Sequence, residues 1–321
     1  MSLFKTPTVT KANVKLSSIP VVFLSFDEPN ADANWELLKL ITPHKRIARV
    51  HGVAGFDAAH KAAASEFASS EYIITVDADN QVDPKFYERS LPVGMNGRVS
   101  FTWGGRQYTN GLMYGNGGLK MWSTEHLANM KSHELADTQR DAVDFCWDFD
   151  RYKELPGCFS TVHTNASAYQ AFRVGFREGV KLSMEQGQVL KFSQWSTTMH
   201  AANFQRLMTW MTIGNDVENG VWSVYGARLA VKLLQYDNFD FVNIRDYAWF
   251  NDFFEQHKTV NPMRASKSLG KQISEGIGWI LPDFDSEQSH FLKMLQLHPD
   301  KSLSYDDVKW RTNLGLYGWF K

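Results

Sequence analysis

The run Tyr72-Ile73-Ile74-Thr75-Val76-Asp77-Ala78-Asp79-Asn80 constrains this chain more than any other stretch. Its first half is continuous, apolar and rich in β-branched residues, which reads as a strand buried on both faces, as in a parallel sheet layered between helices. It stops at two aspartates one residue apart. Ligands of open α/β sheets sit outside the carboxyl ends of the strands, so Asp77 and Asp79 stand where such a protein does its chemistry. A carboxylate pair of that kind can hold Mg²⁺ or Mn²⁺, whose other positions go to diphosphate oxygens and water. The bland alternative is that both residues only end a strand as turn formers.

Upstream, Pro20-Val21-Val22-Phe23-Leu24-Ser25-Phe26 is a second buried strand, ending abruptly at Asp27-Glu28-Pro29-Asn30. A helical pattern over Ala33–Ile41, closed by Pro43, leads to a strand over Arg46–Val50, which completes a βαβ unit. The Ala-rich stretch from Asp57 to Ser69 predicts a helix with Asp57 as its acidic N-cap. Asp57 and Lys61 are i, i+4 and share a face, where they serve either a ribose and a phosphate or each other as a surface ion pair. After Pro84 the pattern shifts to extended pieces over Arg98–Trp103, Asn110–Tyr114 and Gly115–Trp122, which read as hairpins and turns beside the first sheet. Gly115, Gly117 and Gly118 permit either a tight turn or a close backbone approach to a ligand. Helices follow over about 167–181, 220–234 and 246–257. The expected architecture is α/β, a Rossmann-type mixed sheet flanked by helices over 18–260, with a C-terminal extension over 261–321.

Composition narrows the class by exclusion. No run approaches the ~20 apolar residues of a membrane span, and the first residues lack the apolar core of a secretory signal, so the expected location is the cytoplasm, with no membrane partner. Cys146 and Cys158 cannot build a zinc site and are expected to be reduced core thiols. A net charge of −1 neither demands nor forbids nucleic acid.

The order FLSFDEP, GFDAAHKAAA, EYIITVDADNQVDP resembles the nucleotide-binding half of GT-A-fold glycosyltransferases: an opening strand ending in an acidic loop, a helix with a basic residue, then a strand ending in D-x-D. The resemblance implies a nucleotide-sugar-binding half over 18–125 and an acceptor-side half over 126–260. It puts Phe26, Asp27 and Glu28 at nucleobase and ribose, Asp57 and Lys61 on the donor-facing helix, and Asp77, Ala78 and Asp79 at the metal and donor. It also sets Gly117 and Gly118 at the border of donor sugar and acceptor. Together FDEPNADANW, VDADN and YGNGGLKMW are similar to a bacteriophage-carried subgroup, some of which decorate hydroxymethylated pyrimidines in DNA. For a phage-encoded chain the location is the host cytoplasm.

Asp216 and Glu218, in Ile213-Gly214-Asn215-Asp216-Val217-Glu218-Asn219-Gly220, resemble the acidic segment that supplies the general base of inverting members, without the usual adjacent Glu-Asp pair. Acidic residues ahead of a helix are also simply favourable there. Arg173 and Arg177 are i, i+4 on one helix and either grip phosphates or form a solvated face. The family also implies a third metal ligand from the C-terminal part, for which His257 is preferred over His163 and His200. The activity so implied is Mn²⁺- or Mg²⁺-dependent sugar transfer from a nucleotide-sugar, expected to be UDP-linked, to a hydroxyl. The preferred acceptor is the hydroxymethyl group of a modified pyrimidine in DNA. The alternatives are a saccharide or protein acceptor, or a sugar nucleotidyltransferase.

Overall fold

The computed structural model describes residues 12–93, 99–114, 117–129 and 152–297. Strand β1 (Ala12–Lys15) leads to β2 (Val21–Ser25), α1 (Ala31–Ile41), β3 (Ile47–His51), α2 (Phe56–Glu66) and β4 (Tyr72–Asp77). Every residue of β2 is buried, as its unbroken apolar run requires, and β2 lies between β3 and β4 with both neighbours parallel. Two β-strand–helix–β-strand steps thus bring the ends of three strands to one edge.

The middle of the chain departs from the expected hairpins beside the sheet. After β5 (Asn80–Val82) and β6 (Ser90–Val93), strands β7 (Ser100–Gln107), β8 (Met113–Tyr114) and β9 (Leu119–Ser123) continue the same sheet. Beyond α3 (Thr124–Asn129), β10 (Tyr152–Val162) joins them, giving the order β3-β2-β4-β9-β7-β10-β5 with β8 paired to β7. β9 is antiparallel to both β4 and β7. The physical reason is burial: all five residues of β9 are buried, so Leu119-Lys120-Met121-Trp122-Ser123 behaves as a central strand and not as one arm of a surface hairpin.

Alternation then sorts side chains to the two faces. Phe23, Ile74, Val76, Leu119 and Met121 join Phe86 and Trp103 on one side. Val22, Leu24, Ile73 and Trp122 pack on the other with Ala63 and Ala64 of α2 and Leu127 of α3. The cap of α2 lies two residues earlier than the sequence suggests. It is Gly55, whose φ of 96° suits glycine, and Asp57 sits inside the first turn, 5% exposed.

The rest is helical: α4 (Ala168–Leu182), the short ribbon of β11 (Met184–Glu185) and β12 (Gln188–Val189), α5 (Phe192–Trp195), α6 (Ala201–Thr212), α7 (Gly220–Tyr236), α8 (Tyr247–His257), α9 (Pro262–Ile277) and α10 (Ser286–Leu297). α4 begins at a sequence-legible cap, Ser167 Oγ accepting from Gln170 N at 3.1 Å. α4 meets α7 so closely that a Cβ on Gly175 would lie 2.0 Å from the Ser223 carbonyl oxygen, and one on Gly226 2.3 Å from that of Phe172.

α9 packs on α7 around Arg228, which is 1% exposed. Arg228 donates Nε to the Met211 carbonyl (2.7 Å) and Nη1 to that of Ser266 (2.8 Å). Nη2 goes to the Pro282 carbonyl (2.9 Å), and Nη1 also pairs with Asp283. α9 and the Pro282–Asp283 segment after it therefore share the helical core. Cys158 is half-buried and forms no disulfide, whereas Cys146 lies outside the described residues. Among the described residues no helix is long and apolar enough to cross a membrane.

Candidate active site

β4 delivers Asp77 to the sheet edge, and its neighbours fix it there. Asp77 N donates to the Gly118 carbonyl at 2.9 Å, and Lys120 Nζ stands 3.7 Å from Asp77 Oδ2. The Lys120 side chain is 3% exposed, so a cation is built into the floor under the aspartate. Gly118 is pressed over this corner: a Cβ there would sit 2.2 Å from Asn80 Nδ2 and 2.6 Å from Asp77 Cβ. The second glycine, Gly117, is held against β7, where a Cβ would meet Gly105 N at 2.6 Å. Gly115 and Asn116 lie outside the described residues.

The turn after β4 is tied from three directions. Asn34 Nδ2 donates to the Ala78 carbonyl (2.8 Å), His163 N donates to the Asp79 carbonyl (2.7 Å), and Asn30 Nδ2 donates to the His163 carbonyl (2.9 Å). The Asp79 carboxylate receives Asn80 Nδ2 at 2.7 Å. Burial, then the charges of Asp77 and Glu28, push its pKa up to about 7, with Asn80 and Arg173 pulling the other way. Glu28 comes from the loop after β2, where its Oε2 accepts from Phe26 N at 2.7 Å. Phe26 and Asp27 beside it are exposed.

Asp79 is thus buried beside the charges of Asp77 and Glu28. A divalent cation would offset both the burial and the like charge, so the carboxylate pair of Asp77 and Asp79 suits a hard ion. His257 is not gathered with them. Its Nδ1 meets Tyr225 Oη at 2.8 Å within an aromatic cluster with Phe172 and Phe253, and burial lowers its pKa. Among the described residues no group of three or more His, Cys, Asp or Glu is arranged to hold a metal ion.

Arg173 lies between the rings of Tyr169 (5.5 Å) and Tyr247 (4.4 Å). The two phenols and Asp27 together raise its pKa against the effect of burial, and its Nη1 is buried without a hydrogen-bond partner. Arg177, one turn on, has a buried Nε in the same condition. Lys61 is exposed while Asp57 is buried, so the face shared in sequence is split by environment. His60, one residue before Lys61, is the buried partner on α2. Its Nδ1 donates to the Phe56 carbonyl (2.9 Å), and its ring stacks on Phe56 at 4.0 Å and meets Trp122 edge-on. Burial lowers its pKa to about 4, with Asp77 opposing the shift and Lys120 reinforcing it.

Asp216 and Glu218 occupy different settings. The Asp216 side chain is 3% exposed under α10, where Oδ2 pairs with Lys293 Nζ and lies 3.6 Å from His290 Nδ1. Its Oδ1 is buried without a hydrogen-bond partner. Glu218 is exposed, and its backbone carbonyl accepts from Asn165 Nδ2 at 2.9 Å. Tyr108, stacked on His163 at 4.4 Å and with Lys293 Nζ 5.4 Å from its ring centre, stands between this corner and Asp79.

Residues that the sequence did not single out carry much of this geometry. Lys120 had a readable signal, a lysine inside an otherwise buried strand. Tyr108 and Tyr247 had none, because their partners come from distant segments. Tyr169 and His60 each have a partner four residues away, Arg173 and Phe56, but their places beside Tyr247 and Trp122 depend on the fold.

The fold and site define an α/β protein with a mixed central sheet and acidic residues at the carboxyl ends of its parallel strands β2 and β4. No protein-family model matches the chain, and no curated protein matches its sequence. Among solved structures it is similar to one described as "Crystal structure of a glycosyltransferase involved in the glycosylation of the major capsid of PBCV-1". Identity is 14%, the match covers 46% of this chain and 94% of that one, and the TM-score is 0.30. A likeness at that level carries no inference about chemistry, which rests on the geometry above.

Proposed function

We propose that the protein transfers a sugar from a nucleotide-sugar, UDP-linked in the preferred reading, to a hydroxyl group. The observation that carries this is the pair Asp77 and Asp79 at the end of β4, where burial first, and then the charges of Asp77 and Glu28, raise the Asp79 carboxyl to about 7. Asp77 and Asp79 would hold Mn²⁺ or Mg²⁺, which when bound draws negative charge from the departing diphosphate. The chain's own groups do the rest. Lys120 keeps Asp77 oriented, Gly118 lets the backbone of β9 press against Asp77 and Asn80, and the unpartnered Arg173 Nη1 offers a hydrogen bond to a phosphate oxygen. In the transfer, the acceptor oxygen bonds to the anomeric carbon as the bond from that carbon to the phosphate oxygen breaks. The acceptor proton passes to a carboxylate; of the two candidates Glu218 is exposed, whereas Asp216 is buried and paired with Lys293.

The acceptor we favour is the hydroxymethyl group of a modified DNA pyrimidine. The support is the similarity of the motif set to the phage subgroup, together with the exposed aromatics Tyr108 and Tyr247 near the site, which suit a base drawn out of its stack. Purified protein, Mn²⁺ and a panel of nucleotide-sugars are incubated with plain or hydroxymethylated DNA, and nucleoside masses are read after digestion. A sugar increment confined to hydroxymethylated DNA is the expected result. Transfer only to a saccharide moves the acceptor, and no transfer from any donor overturns the reading. Asp77→Asn and Asp79→Asn are expected to abolish transfer with the melting temperature little changed, since each removes a charged ligand oxygen and little shape. Arg173→Ala with Arg177→Ala should weaken DNA binding across sequences and flatten its salt dependence, which a filter-binding salt series checks.

A further inference from the structure

Between Glu255 and Glu275 the chain carries Lys258, Arg264, Lys267 and Lys271 and no carboxylate, although its net charge is −1. Three of these cations lie on α9. The buried side of that helix, Ser266, Leu269, Gly270 and Ile273, belongs to the packing against α7, and Arg264, Lys267 and Lys271 are exposed. Their spacing of three and then four residues keeps them in one row, which spans ~10 Å at 1.5 Å per residue. Lys39 and Lys258, also exposed, are paired with Glu36 and Glu255. Among the described residues none of the three on α9 forms an ion pair.

Helix stability does not account for the row. Arg264 stands in the first turn, where the helix dipole disfavours positive charge, and the cap there is the neutral Asn261, whose Oδ1 accepts from Arg264 N at 3.0 Å. Lys267 and Lys271 then set like charges at i+3 and i+4. Local preferences broken in this way, with nothing in the fold to offset them, mark a surface shaped by something outside the chain. Like charges at short, regular intervals complement a chain of phosphates. An anionic membrane suits the helix less, because an interfacial helix inserts its apolar face, and here Leu269 and Ile273 are buried in the protein.

α8 links this face to the site. Its first residue, Tyr247, lies on Arg173, and its last, His257, leads into the turn before Pro262. The helix between them is ~16 Å long. About five phosphates of a duplex strand cover that length, so a DNA presenting a base at the site has backbone to lay along α9.

We infer that the outer face of α9 is a docking surface for the phosphate backbone of the acceptor DNA, held by Arg264, Lys267 and Lys271. The inference rests on the DNA-acceptor reading and adds to it the surface that keeps the strand in place during transfer.

The test is anisotropy binding of fluorescent hydroxymethylated duplex DNA to the full chain across a salt series. Arg264→Ala, Lys267→Ala and Lys271→Ala together should lower the slope of log affinity against log salt by about 3, one for each phosphate contact, and Lys267→Gln with Lys271→Gln by about 2. The triple variant should raise KM for DNA about tenfold or more and leave kcat, and hydrolysis of the donor without acceptor, unchanged. Alanine favours a helix, so α9 should keep its shape, which circular dichroism checks. Unchanged slopes in both variants, with the wild type transferring sugar to DNA, would overturn the inference and leave the acceptor reading in place. So would loss of binding to phosphatidylserine vesicles with DNA binding intact, which assigns the face to a membrane. A wild-type protein that modifies a saccharide and binds no DNA would overturn the acceptor reading, and this inference with it.

Discussion

His60 shows how a single side chain couples the site to solution conditions. Unfolded, it takes up a proton near 6.5; folded, near 4, because burial opposes the charge. Between those values the unfolded chain holds the extra proton, so stability falls as pH drops from about 6.5 toward 4 and levels off below. The shift corresponds to about 3 kcal/mol in total, about 2 of it lost by pH 5. Urea unfolding at a series of pH values measures this, and His60→Leu should flatten the profile; an unchanged slope in that variant would assign the effect elsewhere. Legibility at this scale followed chain locality. Asp77 and Asp79 announce themselves because they end an apolar strand, and Ser167 because it precedes a helix. The Ser25–His51 contact and the Lys120–Asp77 contact join residues on different strands, and strand pairing cannot be read from either strand alone.

Helices α4 and α7 depend on residues without side chains. Gly175 lies against the Ser223 carbonyl, and Gly226 against that of Phe172, so each backbone fills the notch in the other. Gly175→Ala would force the helices apart along a seam that includes Phe172, Phe176 and Leu229. The expected loss is about 3 kcal/mol, at the upper end for overpacking, with α4 and its Arg173 displaced from the site. Thermal unfolding of that variant beside Gly52→Ala checks it: a Cβ at Gly52 meets nothing within 4 Å, so only the strain of its φ of 71° should register there. The i, i+4 spacing of Gly175 and Gly179 was visible in the sequence; that α7 would be the partner was not. The placement of β9 was missed for a related reason. A short strand after glycines looks like a hairpin arm until its burial on both faces is known.

Across the whole molecule, α10 joins the C-terminal part to the sheet edge. Its Lys293 reaches Asp216 before α7 and packs against the Gly111 turn after β7, where a Cβ would lie 3.1 Å from Lys293 Cγ. With both side chains at least nine-tenths buried, Asp216→Asn strands an ammonium in the interior. Breaking such a pair from one side costs about 3–5 kcal/mol. Chemical denaturation should show this loss, and Asp216→Asn combined with Lys293→Met should recover much of it. A double variant no more stable than the single one would mean that the pair contributes little.

The bonds that fasten the turn after β4 carry a last consequence. Asn34, Asn30 and His163 already hold the backbone of Ala78 and Asp79 in place. A ligand arriving there does not have to freeze that strand end out of many conformations, so the entropy lost on capture comes chiefly from the ligand itself. Affinity at this edge is then governed by how closely a molecule matches a shape set in advance, as a casting is judged against its mould.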